Sequence, residues 1–299
     1  MTAHRFSQFI QVITIVFLAT SGLALGIFKS GLNHEAGIKK STHKTTQSAK
    51  TLPLAKNLIV EVPKSLQGKA IYHAQLKPNQ KFIALTFDDG PSPKNTAQVL
   101  DILKKNQVKA TFFVIGAMVQ AYPQIAKQVV ADGHELGNHT WHHWYRRMDL
   151  ATASSEIDST ADVIYKTTGV KTALFRPPGG YLNNGLADYA KNQHYAVMMW
   201  SSLCGDADRH TPSVAGMVNN VLRTAKPGAI VLLHDGGGNR SRTVKALPQI
   251  IAGLKAQGYK FVTSSELLEI QAKEQATALK TVPAVKKDEN QKNQPHQQL

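Results

Sequence analysis

Apolar residues in the middle of the chain fall into two alternating patterns. Short unbroken runs occupy Phe82–Phe87, Ala110–Ile115, His134–Gly137, Ala173–Phe175, Ala196–Ser201, Ala229–His234 and Lys260–Val262. Between them, Tyr122, Ile125, Ala126, Val129 and Val130 recur at i, i+3, i+4, i+7 and i+8. Val214, Met217, Val218, Val221 and Leu222 repeat that spacing, and Ile157, Ala161 and Ile164 give a third apolar face. The runs predict strands buried on both faces, and the spaced positions predict helices with one apolar side. Such alternation implies a parallel sheet covered by helices. About seven strands predict an α/β fold, a distorted or incomplete (β/α) barrel, since eight close the standard form.

The flanks are patterned differently. Twenty-three residues without a charge separate Arg5 from Lys29. Roughly 20 apolar residues suffice to cross a bilayer. Residues 1–28 therefore read as a signal peptide or membrane anchor, and the length of the stretch favours the anchor. Ala24-Leu25-Gly26 is a small-x-small pattern that would permit cleavage. Lys29, Lys39, Lys40 and Lys44 outweigh Arg5, which opposes an N-inside orientation. Large domains translocate largely regardless of such charges, so the following domain is expected on the outer side. Residues 29–75 form a polar linker and lead-in, 76–271 the folded domain, and 272–299 a polar tail expected to be disordered.

Composition narrows the function classes. Hydrophobic residues at 42% and charged ones at 18% fit a protein with a real core, which excludes a wholly disordered chain and a multi-span membrane protein. The net charge of +15 is uneven: residues 1–75 hold nine Lys/Arg against two Glu. Basic flanks of this kind suit an anionic envelope or membrane surface. No nucleic-acid-binding signature accompanies them, and no obligatory protein partner is evident. The lone cysteine, Cys204, excludes an internal disulfide and a cysteine-based metal site.

In parallel α/β folds, ligands bind at the carboxyl ends of the strands. Unusual polar residues gather at those ends here: Asp88-Asp89 after the first run, His139 to His143 after the third, Arg176 after the fourth, Asp206 past the fifth, His234-Asp235 ending the sixth. Five loops would converge on one rim. His139 and His143, four apart, would share one side of a helical turn. With Asp89 they make a two-His, one-carboxylate set that leaves a coordination position open, as hydrolytic zinc requires. His142 could replace His143 geometrically. Asp88 is the candidate base and His234 the candidate acid, with Arg176 a cation fixing the base and Asp206 a partner favouring protonated His234. Trp141, Trp144 and Tyr145 read equally as sugar-stacking rings or as packing over the metal loop. Gly236-Gly237-Gly238 lacks the Lys-Ser/Thr of a phosphate loop and reads as a turn.

The set Thr86-Phe87-Asp88-Asp89-Gly90-Pro91, His139-Thr140-x-x-His143, Arg176-Pro177-Pro178-x-Gly180 and Leu232-x-His234 closely resembles the polysaccharide deacetylase domain (NodB homology, carbohydrate esterase family 4). The match covers roughly residues 80–270. The resemblance implies a divalent metal, usually zinc with cobalt as an alternative, held by Asp89, His139 and His143. It implies Asp88 as general base, Arg176 orienting it, and His234 as general acid. Leu232 would line the pocket for the acetyl methyl, and the backbone N–H of Gly179 would help stabilise the oxyanion. The implied activity is removal of N-acetyl groups from N-acetylhexosamine polysaccharide, with release of acetate. Rival readings are an acetyl or formyl deacylase acting on a lipid-linked sugar or non-sugar amide, and a non-catalytic carbohydrate-binding surface protein.

Two departures stand out. Gly179 occupies the place where members commonly carry Tyr, which removes a side-chain wall of the groove. In the fourth motif, Trp200 to Ala207 keeps an aspartate at Asp206 but has Leu203 for an earlier aspartate and Ala207 for a tryptophan. A two-residue shift would put Asp208 in the place of Asp206; Asp206 is the preferred alignment.

Overall fold

The computed structural model describes residues 58–281. The apolar segment before Lys29, most of the linker and the last 18 residues lie outside that range, so the expected signal or anchor lies outside the described residues. Among the described residues no helix is long and apolar enough to cross a membrane.

Strands β1 (Leu58–Val60) and β2 (Ala70–Ile71) precede the long strand β3 (Phe82–Asp88). Helix α1 (Asn95–Asn106) leads to β4 (Thr111–Val114); α2 (Gly116–Ala121) and α3 (Pro123–Ala131) lead to β5 (Glu135–Asn138). After α4 (Leu150–Thr168) come β6 (Val170–Thr172), β7 (Leu174–Phe175), α5 (Leu186–Asn192), β8 (Ala196–Met198) and β9 (Ser202–Leu203). The chain continues through α6 (Val214–Thr224), β10 (Ala229–His234), α7 (Ser241–Ala256), β11 (Lys260–Phe261) and α8 (Ser264–Thr281).

Nine strands form one sheet in the order β2-β8-β7-β5-β4-β3-β10-β9, with β11 also on β3; β1 and β6 pair separately. Each strand pairing is parallel. The seven expected runs are all strands of this sheet. It gains β2 and β9, each two residues long and too short to register as an apolar run. The fold is a curled half-barrel. Residues 199–201 join its edges: β9 follows β8 directly, yet pairs with β10 at the far end of the order. Met199 N–H donates to the Ile71 carbonyl at 2.8 Å, and Ser201 N–H to that of Ile230 at 3.1 Å.

Side-chain alternation along each strand assigns two cores. On β3, Ile83, Leu85 and Phe87 pack into the large cluster shared with α1, α6 and α7, while Ala84 belongs to a second cluster with Phe113, Leu174, Met198 and Ile230. The period of two puts Asp88 on the same side as Ala84, and His234 on the same side as Ile230. Asp88 and His234 are also register partners across β3 and β10.

The flanks of the domain contribute more than the sequence suggests. Part of the lead-in builds β1 and β2, and α8 runs to Thr281, past Ala272 where the polar tail was expected to begin.

Candidate active site

Asp88 is the last residue of β3 and is 3% exposed. Its Oδ1 accepts from Nη1 of Arg176 at 2.7 Å. Arg176 follows β7 and is fully buried. Its other donors reach Thr86 Oγ1 at 2.8 Å, the Met198 carbonyl at 2.9 Å and the Met199 carbonyl at 3.2 Å. The guanidinium lies 4.0 Å from the centre of the Phe113 ring. A buried charge is costly unless paired and hydrogen-bonded, and Arg176 is both. Oδ2 of Asp88 remains on the open side, 3.8 Å from Nε2 of His139.

Asp89, His139 and His143 come together beside it. Oδ1 of Asp89 stands 3.1 Å from Nε2 of His143 and 3.5 Å from Nε2 of His139. The three ligand atoms lie within 4.8 Å of one another. His139 Nδ1 donates to the Arg176 carbonyl at 2.7 Å, which leaves its Nε2 as the nitrogen that faces Asp89. Burial opposes ionisation of Asp89, but the two imidazoles outweigh it and hold the carboxyl well below the usual range. Oδ1 of Asp89 is buried without a directed hydrogen bond. An orphaned carboxylate oxygen between two imidazole nitrogens fits a divalent cation.

The spacing of the two histidines works by a different geometry from the helical turn expected. Residues 139–143 form a bent loop with Thr140 at φ 67° and His143 at φ 61°. Glu156, buried on α4, holds this loop. Its Oε2 accepts from the backbone N–H groups of Trp141 and His142, and its Oε1 pairs with His142 Nδ1 at 2.6 Å. His142 is thereby turned away from Asp89, and His143 takes the inward place.

His234 ends β10 with its Nδ1 2.9 Å from Oδ1 of Asp206. Oδ2 of Asp206 accepts from the His234 backbone N–H at 2.8 Å and from Thr243 Oγ1 at 2.9 Å. Burial would lower the imidazole pKa, but the bond to Asp206 and the charges of Asp206, Asp88 and Asp89 raise it overall. Asp206, and not Asp208, therefore meets His234. Cys204 nearby is a buried thiol whose pKa burial pushes up, and it is inert.

These residues open into one cavity of about 560 Å³, lined among others by Asp88, Asp89, His139, His143, Gly179, Leu232 and His234. The polysaccharide deacetylase family model matches residues 75–198. A peptidoglycan-N-acetylglucosamine deacetylase of Bacillus cereus is 45% identical over 210 residues, covering 69% of this chain and 96% of the relative. The chain belongs to the polysaccharide deacetylase family. The peptidoglycan-N-acetylmuramic acid deacetylase PdaC of Bacillus subtilis is 36% identical over 244 residues, 80% of this chain and 50% of that one. A Bacillus anthracis pseudoenzyme of carbohydrate esterase family 4 superposes with a TM-score of 0.63 at 32% identity, over 69% of this chain and 71% of that one. The fold thus serves enzymes and pseudoenzymes alike, and the side chains must carry the functional argument.

At the rim, this deacetylase fills its departures from the pattern in its own way. A Cβ on Gly179 would lie 2.9 Å from ring carbons of both Tyr145 and Tyr181, so two tyrosines stand where a side chain at 179 would go. Tyr145 lines the cavity; Trp144 stacks on His142 with ring centres 4.3 Å apart, and Trp141 packs over Gly116. Two residues of the site, Glu156 and Arg240, escape sequence reading. Glu156 had a usable signal, a charge on the buried stripe of α4 shared with Ala153, Ile157 and Ile164. Arg240 had a faint one, a cation at a helix start. Asp235, which follows His234 at the end of the sixth run, is fully buried with Thr96 Oγ1 2.5 Å from its Oδ2, and burial raises its pKa to about 7.

Proposed function

We propose that this chain removes N-acetyl groups from N-acetylhexosamine polymers, peptidoglycan foremost, by metal-dependent amide hydrolysis on the outer side of the cell membrane. One observation carries the reading. A single cavity is lined by an Asp-His-His ligand set, a carboxylate with one oxygen fixed and one free, and His234, which Asp206 backs from behind the wall. Asp89, His139 and His143 would hold the cation, zinc in the first instance. When bound, such an ion polarises a carbonyl and makes water a better nucleophile.

The chain's own residues supply the proton transfers. Arg176 occupies Oδ1 of Asp88, leaving Oδ2 to take a proton from the water that attacks the acetyl carbon. His234, tied through Nδ1 to Asp206, presents Nε2 to protonate the departing sugar amine. The Gly179 N–H supports the developing oxyanion, and Leu232 borders the place of the acetyl methyl. Acetate leaves, and the polymer retains a free amine. Residues 1–28 would anchor the domain, with the basic linker lying against the anionic envelope.

The test is acetate release by the purified full-length protein, with added zinc or cobalt, from peptidoglycan, chitin oligomers and acetylxylan. Release from the amide substrates that chelation abolishes is expected. No acetate from any of them under either metal would sink the proposal.

A further inference from the structure

Arg240 plays no part in the proton transfers above, yet it ties three segments of the site together. Its Nε donates to the Gly236 carbonyl at 2.6 Å, Nη1 to the Asp206 carbonyl at 2.8 Å, and Nη2 to the Gly237 carbonyl at 3.1 Å. Nη2 also stands 3.8 Å from Oδ2 of Asp89, and both side chains are about nine-tenths buried. Each partner belongs to a different piece of machinery. Asp206 holds His234, Gly236 and Gly237 form the turn just beyond His234, and Asp89 faces His139 and His143 through its other oxygen.

Helix geometry does not account for an arginine here. Arg240 precedes the first residue of α7 and makes no side-chain capping bond, and the first turn holds no acidic residue. A cation at this end opposes the helix dipole. The backbone around it is shaped for the contact instead. Gly237 has φ 66°, and a Cβ there would lie 2.4 Å from Oδ2 of Asp89 and 3.2 Å from Nη2 of Arg240. Glycine leaves the gap through which guanidinium and carboxylate meet.

We propose that Arg240 is a positioning residue that sets the ligand carboxylate and the acid pair together. Its charge fixes Oδ2 of Asp89, which aims Oδ1 at the two imidazoles. The same planar fork clamps the Asp206 loop onto the turn after His234. A lysine would keep the charge but lose the fork. The activity half of this inference rests on the deacetylase reading; the ligand half does not.

The experiment uses metal-free full-length protein, wild type and the Arg240→Lys and Arg240→Gln variants. Cobalt(II) is titrated by visible absorption, and acetate release gives kcat and KM. Supporting groups around metal ligands typically change affinity or activity by about 10–100-fold. Arg240→Gln is expected to bind cobalt weaker by about that factor and to lose kcat with KM little changed. Arg240→Lys should fall between it and wild type in cobalt affinity, with kcat still depressed. Cobalt affinity and kcat within about twofold of wild type, with only thermal stability lowered, would overturn the proposal in favour of a purely structural clasp. If Arg240→Gln fails to fold, Arg240→Lys decides on the same readings. Wild type that binds cobalt but releases no acetate defeats the deacetylase reading and leaves Arg240 judged by the titration. Wild type that takes up no cobalt overturns both.

Discussion

Nη1 of Arg176 meets Oδ1 of Asp88 at 2.7 Å in a pair that is almost entirely sealed from solvent, so Asp88 approaches the cavity with one oxygen committed and the other free. Asp88→Asn keeps the shape and the arginine contact but removes the proton acceptor. General-base catalysis contributes about 10²–10⁴-fold. Turnover should fall by that order while bound-metal content, measured by elemental analysis, stays near that of the wild type. Equal turnover would show that the base lies elsewhere.

The His234–Asp206 pair predicts a pH effect with a definite sign. The bond and charge of Asp206 overcome burial and raise the His234 pKa above its ordinary value. An acid of raised pKa stays protonated further into the alkaline range, and its contribution is lost as pH rises through the folded value. Asp206→Asn removes the negative partner, so the alkaline limb of the kcat profile should move to lower pH. A limb that stays put would show that another group sets it.

Glu156 anchors the ligand loop through two backbone N–H groups and His142. Leaving a buried donor without a partner costs about 1–3 kcal/mol. Glu156→Ala should lose stability of that order per orphaned donor in urea unfolding. Because the same loop carries His139 and His143, metal affinity should drop with it. Glu156→Gln, which retains an acceptor oxygen, should lose less of both.

His134 lies outside the catalytic cavity and predicts an acid sensitivity of its own. Burial, helped by the charge of Lys109, lowers its pKa to about 4. Its Nδ1 accepts from the Ala110 N–H, and its Nε2 is buried without a partner. A depressed folded pKa means that stability is complete above the unfolded value of 6.5 and declines as pH falls towards 4. The loss should approach about 3 kcal/mol at 1.36 kcal/mol per unit. His134→Asn should flatten this slope in unfolding curves taken across that range. An unchanged slope would assign the acid sensitivity to other groups.

The strands that form the centre of the sheet were legible because both faces are buried, which leaves continuous apolar runs such as Ala229–Leu233. Strands β1, β2, β6 and β9 were not, because two or three residues at an edge or seam carry no period. The residues now gathered in the cavity were visible as polar outliers at strand ends, since parity alone turns Asp88 and His234 to the same side. The loop between His139 and His143 was misread as helical because spacing of four also arises from a bend, and its conformation depends on Glu156 thirteen residues beyond His143. Arg240 stayed hidden for a related reason. Its hydrogen bonds go to backbone carbonyls, which leave no trace in a string of side chains, and its one carboxylate partner, Asp89, lies far away along the chain.

The last residue of β8 and the first residue of the stretch that joins the edges of the curled sheet supply the Met198 and Met199 carbonyls that grip Arg176. Wall and workbench therefore share the same few peptide units. Domain grafting, loop lengthening or relocated termini should be tolerated best on the opposite rim. A single residue spliced between Met199 and Ser202 would slip the hoop and misaim Asp88 in one stroke, leaving Asp89, His139 and His143 in place beside a proton acceptor that no longer points at them.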